Sequence, residues 1–579
     1  MQKESSKNST LRSNEQLQLA EKFVRFTDRH VFLTGKAGTG KTTFLHQLKT
    51  TLNKRLIVVA PTGVAAINAG GMTIHSFFQL PFAPNIPVSD LPQDSGAADH
   101  NKFRIQRFSK EKRNIMRSLD LLVIDEISMV RADMLDAIDE VLRRYKNRKL
   151  AFGGVQLLMI GDIQQLAPVV KDQDWNILKQ YYQTPFFFGS RALSITGFST
   201  IELTEVFRQK DDHFIALLNQ VRDNHNSPEL FAELNKRYIP DFVYQEDEGY
   251  INLCTHNQQA RTINDSKMMT LKTPSHFFDA TIEGNFPEHI QPLPTRLELK
   301  KDAQVMFVKN DPSPDKLFYN GKIGRIIDIR KNEIEVVCPG DDDSLKVEML
   351  TWNNYKYSLD SESKDIMEEL IGSFTQYPLK PAWAITIHKS QGLSFDKAII
   401  DAQKAFAHGQ VYVALSRCRS LEGLILSSPI SGNSFVANQQ ITQFTEQNSE
   451  NMPSLQDLEI ASKAYQQKQL IELFDFHPLF YQLLYLIKLV RKHQASIQGD
   501  AVSYFSECAD ELKTSTVFVS EKFEKLITSS LSVENTAKIP SALQDRIKKA
   551  TIYFTPEIEK LSDKVESFSF ESDSKAARK

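Results

Sequence analysis

The stretch "HVFLTGKAGTGKTTFLHQL", residues 30–48, restricts the fold of this chain more than any other. A short apolar run, Val31 to Thr34, enters a loop in which Gly35, Gly40, Lys41 and Thr42 fit the spacing G-x-x-x-x-G-K-[ST]. Phe44, Leu45, Leu48 and Leu52 then recur near one helical face. Strand, glycine loop and helix in that order let backbone N–H groups converge on phosphate oxygens at a helix N-terminus. Gly35, Ala37, Gly38, Thr39 and Gly40 form the cradle, and Thr43 continues the helix start. Lys41 reaches towards β- and γ-phosphates, and the Thr42 hydroxyl suits Mg²⁺. The chain therefore reads as one that holds a nucleoside triphosphate.

The same rhythm continues downstream. "LIVVA" (56–60) runs into "PTGVAAINAGG", "LLVI" (121–124) into "DEISM", and "VQLLMI" (155–160) into "GDIQQL". Continuous apolar strands alternating with helices predict an α/β fold with a parallel sheet covered on both faces. Ligands of such sheets bind beyond the C-terminal strand ends, where all these polar loops fall. Asp125 is then placed to hold Mg²⁺ through water, and Glu126 to orient an attacking water. Gln165 ends another strand, where an amide can report the presence of the γ-phosphate. A second α/β series follows: "STIEL", "INLCT", "AITIH", "KAIIDA" and "GLILSS". Arg208 in "LTEVFRQ" and Arg417 in "VALSRCRS" belong to it. Either alone reads as a surface salt bridge; together, brought across a cleft, they stabilise charge on a transferring phosphoryl group.

Length and texture divide the chain. At 579 residues it is too long for one core. Residues 1–13 are polar and expected to be disordered; 14–190 carry the first parallel-sheet domain, interrupted by a Pro-, Gly- and charge-rich insertion at about 81–108. Residues 191–294 and 378–450 make the second α/β domain. Between them, 295–377 holds short strands such as "QVMFVK", "GRIIDI" and "EIEVVC" joined by tight turns, predicting an inserted small β-barrel. Residues 451–579 are helix-rich and carry no motif.

A formal charge of −2 argues against coating nucleic acid by bulk electrostatics, but leaves room for a local basic groove. Cys254, Cys338, Cys418 and Cys508 are spaced far beyond any metal-ligand pattern and read as structural thiols. The best candidate for a bilayer span, "LFYQLLYLIKLV" from Leu479 to Val490, is short and carries Gln482 and Lys488. It reads as a buried helix and not a membrane span. The N-terminus lacks a secretory apolar core, so cytoplasmic residence is expected.

The series "GKAGTGKTT", "APTGVAAINAGGMTIHSFF", "VIDEISMV", "FGGVQLLMIGDIQQLAPV", "LTEVFRQ", "TIHKSQGLSFD" and "VYVALSRCRS" resembles superfamily-one helicases of the Pif-one-like branch, which is related to RecD-like helicases. "RADMLDAIDEVLRRYK" resembles the branch's signature segment. The resemblance extends from about Asn14 to Ser427. It implies two RecA-like domains with ATP between them, moving 5′ to 3′ along single-stranded DNA as a monomeric, nucleoid-associated bacterial motor for replication, repair, recombination or telomere-like maintenance. It implies that Gln18 reads adenine (Gln16 being the alternative). Lys41, Thr42, Asp125, Glu126, Gln165, Arg208 and Arg417 take the family's catalytic positions, and Gly392 lies beside the γ-phosphate. The 81–108 insertion corresponds to a wedge that splits the duplex, and 295–377 to an SH-three-like barrel. Two positions depart from the pattern: Ala167-Pro168 stands for Pro-Pro, and Ala151 for the Pro before "FGG". Both shape backbone and carry no chemistry.

A sequence-tolerant grip needs phosphate contacts from hydroxyls, backbone N–H groups and cations. Thr62, Gly63, Thr73 and His75 supply them on the first domain; Thr386, His388 and Lys389 do so on the second, with Asn310 added from "FVKND". Phe77 and Phe78 read as core. Phosphate-gripping residues do not specify a sugar, so an RNA-directed or purely translocating motor is the related alternative. A nucleotide-timed binding module is the alternative from another class, and a small-molecule kinase lacks an acceptor pocket in the sequence.

Overall fold

Apolar runs alternating with helices assemble into a six-stranded parallel sheet in the order β3-β2-β4-β5-β1-β6. Its strands are β1 (Val31–Gly35), β2 (Leu56–Ala60), β3 (Met72–Thr73), β4 (Leu121–Ile124), β5 (Gln156–Ile160) and β6 (Ser199–Leu203). Every residue of β1, β4 and β5 is buried, as a sheet with helices on both faces requires. Phe32, Phe77, Phe78, Phe152 and Phe187 fill the core beside it, so Phe77 and Phe78 are indeed core.

The computed structural model describes residues 14–81, 83–87, 108–209, 211–225, 227–245, 248–330, 333–341, 343–360, 362–363, 365–401, 409–432, 438–449, 452–494, 497, 500–533 and 539–569. They form two compact units, Met1–Arg25 with Arg29–Pro453, and Phe26–Asp28 with Ser454–Lys579. The first thirteen residues lie outside the described residues, as does most of the 81–108 insertion expected to form a wedge. At its described edge, Asn85 N–H donates to Asp133 Oδ2 at 2.8 Å.

The second parallel sheet has the order β18-β7-β19-β20, from β7 (Ile251–Cys254), β18 (Ala384–Thr386), β19 (Ala398–Asp401) and β20 (Leu424–Ser428). "STIEL" does not open this sheet. As β6 it pairs in parallel with β1 through five residue pairs and forms an edge of the first sheet. A five-residue apolar run states that a strand exists but not which neighbour it takes; the connection decides that.

The antiparallel region between β7 and β18 also differs from a single barrel over 295–377. It starts earlier, at β8 (Ser275–Asp279) and β9 (Thr281–Gly284), and its pairings form three sheets. β10 (Arg296–Lys300) pairs with β8. β11 (Gln304–Phe307), β12 (Ile323–Ile329), β13 (Ile334–Val337), β14 (Leu345–Val347) and β17 (Leu379–Pro381) make a five-stranded sheet over Val305, Phe307, Ile326, Val336 and Leu379. β15 (Leu350–Leu359) and β16 (Ile366–Gln376) form a long hairpin that pairs with β9. Ten- and eleven-residue strands overrun a small barrel, and the far end of the hairpin has another destination. Tyr357, Leu359 and Ile366 pack into the core of the first sheet, where the Tyr357 hydroxyl accepts from Val58 N–H at 3.4 Å. Lys49 and Glu368 pair at 3.0 Å beside this contact.

The C-terminal unit is helical: Leu455–Leu473, His477–Lys492, Ala501–Glu511, Phe518–Val533 and Ser541–Ser567, with a π-turn at Leu512–Val517. Ser454 and Asp457 close a capping box on the first of these. Leu483 and Ile487 are buried with Phe505, Cys508 and Leu512, whereas Tyr481 and Tyr485 are 62% and 63% exposed. The expected buried helix is therefore buried on one stripe only, as a helix packed from one side is. By length and composition, Leu455–Lys492 is apolar enough to cross a membrane, contrary to the expectation for this region. A break after Leu473 divides it into helices of 19 and 16 residues. All four cysteines are buried.

Candidate nucleotide site and strand-facing loops

The loop after β1 wraps an unusually close approach. Gly38 has φ 84°, a left-handed conformation, and a Cβ there would lie 2.4 Å from Arg208 Cβ. Only glycine fits. Its carbonyl accepts from Phe207 N–H at 2.9 Å, so the phosphate loop and the chain leaving β6 are stitched together. Lys41 Nζ donates to the carbonyls of Gly35 and Lys36 at 2.6 and 2.9 Å. Burial lowers its pKa, against the opposing charges of Asp162 and Glu126.

A cavity of about 1100 Å³ opens in front of the loop. Ala37 to Thr43, Glu126 and Gln165 line it from the first sheet; Arg208 lines it from the connection after β6; Asn310, Gly392 and Arg417 line it from the far side. Arg417 is fully buried and bonded to the Val413 carbonyl at 3.0 Å, the Leu393 carbonyl at 3.4 Å and Ser416 Oγ at 3.0 Å. Burial, then the nearby Arg208 guanidinium, pull its pKa down to about 9. Arg208 donates to the Ser416 carbonyl at 3.4 Å, and burial lowers its pKa too. Three cations thus face one cavity while bonded to neutral oxygens, a field that favours a polyanion.

The carboxylates answer the same logic. Asp125 ends β4 and accepts from Glu126 N–H at 3.0 Å. Burial, then the adjacent Glu126 charge, push its pKa up to about 7. Glu126 is raised mainly by burial, and its backbone is held at φ 52°, rare for a non-glycine residue. Thr42 and Asp125 are the residues that could hold a divalent cation here.

Several residues of the site gave no sequence signal. Asp162, in "GDIQQL", is fully buried; burial would raise its pKa, but Arg222 and Lys41 hold it below the usual range. Arg222 lies 3.3 Å from Asp162 and 3.2 Å from Glu202. Gln165 Nε2 donates to Asp162 Oδ2 at 3.1 Å. The Tyr412 hydroxyl accepts from Ala37 N–H at 3.1 Å, and Gln391 Nε2 donates to Glu126 Oε2 at 2.8 Å. The last two contacts join residues hundreds of positions apart, which no local spacing reveals. Gly409 packs against the first sheet's loops: a Cβ there would sit 1.8 Å from the Gln165 carbonyl oxygen.

The remaining expected residues fall elsewhere. Gln18 is exposed on the helix Glu15–Phe26 and is not among the residues lining the cavity. Asn310, expected on the strand track, lines the nucleotide cavity, and its Oδ1 accepts from Asn320 N–H at 2.8 Å. Thr62 and Thr73 are N-caps, their hydroxyls accepting from Ala65 and Ser76 N–H at 3.2 Å each; Gly63 is the first residue of the helix after Thr62. Thr386 is buried and its hydroxyl accepts from Lys389 N–H at 3.3 Å. Burial lowers the pKa of His75 and of His388, with Arg131 adding to the effect at His75. Lys389 is exposed.

A phosphate loop on one parallel sheet, faced across a polyanion-sized cavity by an arginine from a second parallel sheet, defines the two-lobed phosphate-loop NTPases. Residues 13–229 match the family described as PIF1-like helicase, and residues 457–579 match one described as DNA helicase, middle domain. The chain is 30% identical to ATP-dependent DNA helicase Pif1 of Campylobacter jejuni, over 67% of this chain and 86% of the relative. It is 34% identical to ATP-dependent DNA helicase PIF1 of Danio rerio, over 68% of this chain but only 58% of that longer relative. Among solved structures, Bacteroides sp Pif1 in complex with ADP-AlF4 superposes with a TM-score of 0.68 at 40% identity, covering 75% of this chain and 97% of the other. Bacteroides Pif1 bound to ssDNA superposes with 0.53 at 39% identity, covering 76% and 97%. The chain belongs to the PIF1-like helicase family.

Proposed function

We propose that this chain is an ATP-dependent DNA helicase that translocates 5′ to 3′ on single-stranded DNA, as a monomer, and separates duplex ahead of it. The observation that carries the reading is the shared cavity: Lys41, Arg208 and Arg417 reach it from both sides, so a bound triphosphate draws the two sheets together. ATP bound at Ala37–Thr43 then meets Glu126 as the group that orients water, Gln165 as the γ-phosphate reporter and the two arginines as charge stabilisers. Thr42 and Asp125 would hold Mg²⁺, which supplies charge neutralisation of the phosphates when bound. Relatives whose structures carry ADP-AlF4 or single-stranded DNA support both ligands.

The loops bearing Thr62, Gly63, Thr73 and His75 on the first sheet, and Thr386, His388 and Lys389 on the second, form two grips that closure slides past each other. The test is ATP hydrolysis with and without oligothymidylate, together with unwinding of duplexes carrying a tail of either polarity. Strong stimulation by the strand and unwinding only with a 5′ tail are expected. Absence of stimulation by any DNA or RNA strand overturns the motor reading.

A further inference from the structure

Gln391, on the loop between β18 and β19 of the second sheet, reaches across the cleft to Glu126, which follows β4 of the first. The 2.8 Å bond occupies Glu126 Oε2. Gln391 is 8% exposed, and its own Oε1 is buried without a partner among the described residues. An amide packed for its own stability would have both ends satisfied, because an unpaired buried acceptor is costly. This one is half-satisfied, with its donating end on the carboxylate.

The segment that carries Gln391 is stiff. Ser390 N–H donates to the carbonyls of Thr386 and Ile387, Gln391 N–H to that of His388, and Lys389 N–H to the Thr386 hydroxyl. Thr386 to Gly392 therefore moves as one piece. It presents exposed Lys389 and half-buried His388 at one place and Gln391 and Gly392 at the cleft. A force applied at Lys389 is felt at Gln391.

We propose that Gln391 is a positioning residue that restrains Glu126 while the strand site is empty, and releases it when a single strand bound at His388 and Lys389 shifts the Thr386–Gly392 turn. The inference rests on the reading of Glu126 as the group that orients the attacking water. The amide donor occupies an oxygen that the attacking water needs. Release frees that oxygen, so stimulation of hydrolysis by the strand has a stereochemical origin in one hydrogen bond between the two halves.

The test uses the full chain, with wild type, Gln391→Ala, Gln391→Met and Glu126→Gln compared with and without oligothymidylate. Gln391→Ala is expected to raise the strand-free rate by about fivefold, the scale of one hydrogen bond, and to leave the rate at saturating strand within about twofold. The ratio of the two then collapses. Gln391→Met keeps the side chain's length and removes the donor, so it raises the strand-free rate as well and covers the case in which the alanine variant does not fold. Parallel loss of both rates, or an unchanged ratio in both variants, overturns the proposal. Full hydrolysis by Glu126→Gln instead overturns the reading of Glu126, which separates the two failures.

Discussion

The nucleotide cleft and the loops proposed to grip a strand are both built from lysine, threonine and backbone amides at strand ends, yet their polar groups stand in opposite conditions. In the cleft, Lys41 and Arg417 bond to carbonyl and hydroxyl oxygens. On the strand-facing loops, the hydroxyls of Thr62, Thr73 and Thr386 already close helical turns. The cleft holds charge in reserve for a ligand, at a cost to the folded chain; the loops hold the fold together first and can grip phosphate second. Substitution in the cleft should therefore cost activity without stability, and at the turn-closing threonines both at once.

The largest expected effect is at Lys41. Lys41→Ala should lower hydrolysis by about 10²- to 10³-fold, while affinity for oligothymidylate by fluorescence anisotropy changes little and the melting temperature without nucleotide does not fall. Joint loss of hydrolysis and strand binding breaks the division. Next comes pH. The Asp125 carboxyl is pushed up to about 7 and Glu126 is raised as well. A raised carboxyl is protonated, hence unable to hold Mg²⁺ or accept from water, below its shifted pKa. kcat/KM for ATP should then fall with a slope of up to about tenfold per unit below pH 7, well above the ordinary carboxylate range, while strand affinity over the same interval stays flat.

Smaller effects sharpen the other side. Thr62→Ala and Thr73→Ala should each cost about 1 kcal/mol of stability through the lost cap, read as a lower urea midpoint, and weaken strand binding together with it. Thr→Ser at either position keeps the cap and should recover both. Lys389→Ala is the mildest: its ammonium is exposed, so binding should weaken uniformly across strand sequences and the salt slope should drop by about one, with melting unchanged.

The strand–loop–helix units around Lys41, Asp125 and Gln165 were legible because each is local: an apolar run, a turn and a helix within about twenty residues. What was hidden is long-range. "STIEL" reads as a strand but carries no mark of pairing with β1, and the Arg222–Asp162 pair joins positions sixty residues apart. Asn310 sits in a loop whose neighbours come from the cleft, and nothing in "FVKND" says so. The β-rich insertion was recognised by its short strands, but the length of β15 and β16 was the signal that they leave the small sheet. The C-terminal helices were legible as helices, and their exposed stripe at Tyr481 and Tyr485 was not, since an unbroken apolar run does not say which face is covered.

The β15–β16 hairpin has a mechanical consequence. One end is paired with β9 beside the second sheet, and the other is embedded, through Tyr357, in the core of the first. Any stroke that changes the separation of the two sheets must bend this ribbon, and its pairing register shifts at Asn354/Tyr355, just before the anchor. In the proposed motor, such a ribbon acts as a leaf spring held at both ends, resisting separation of the two halves.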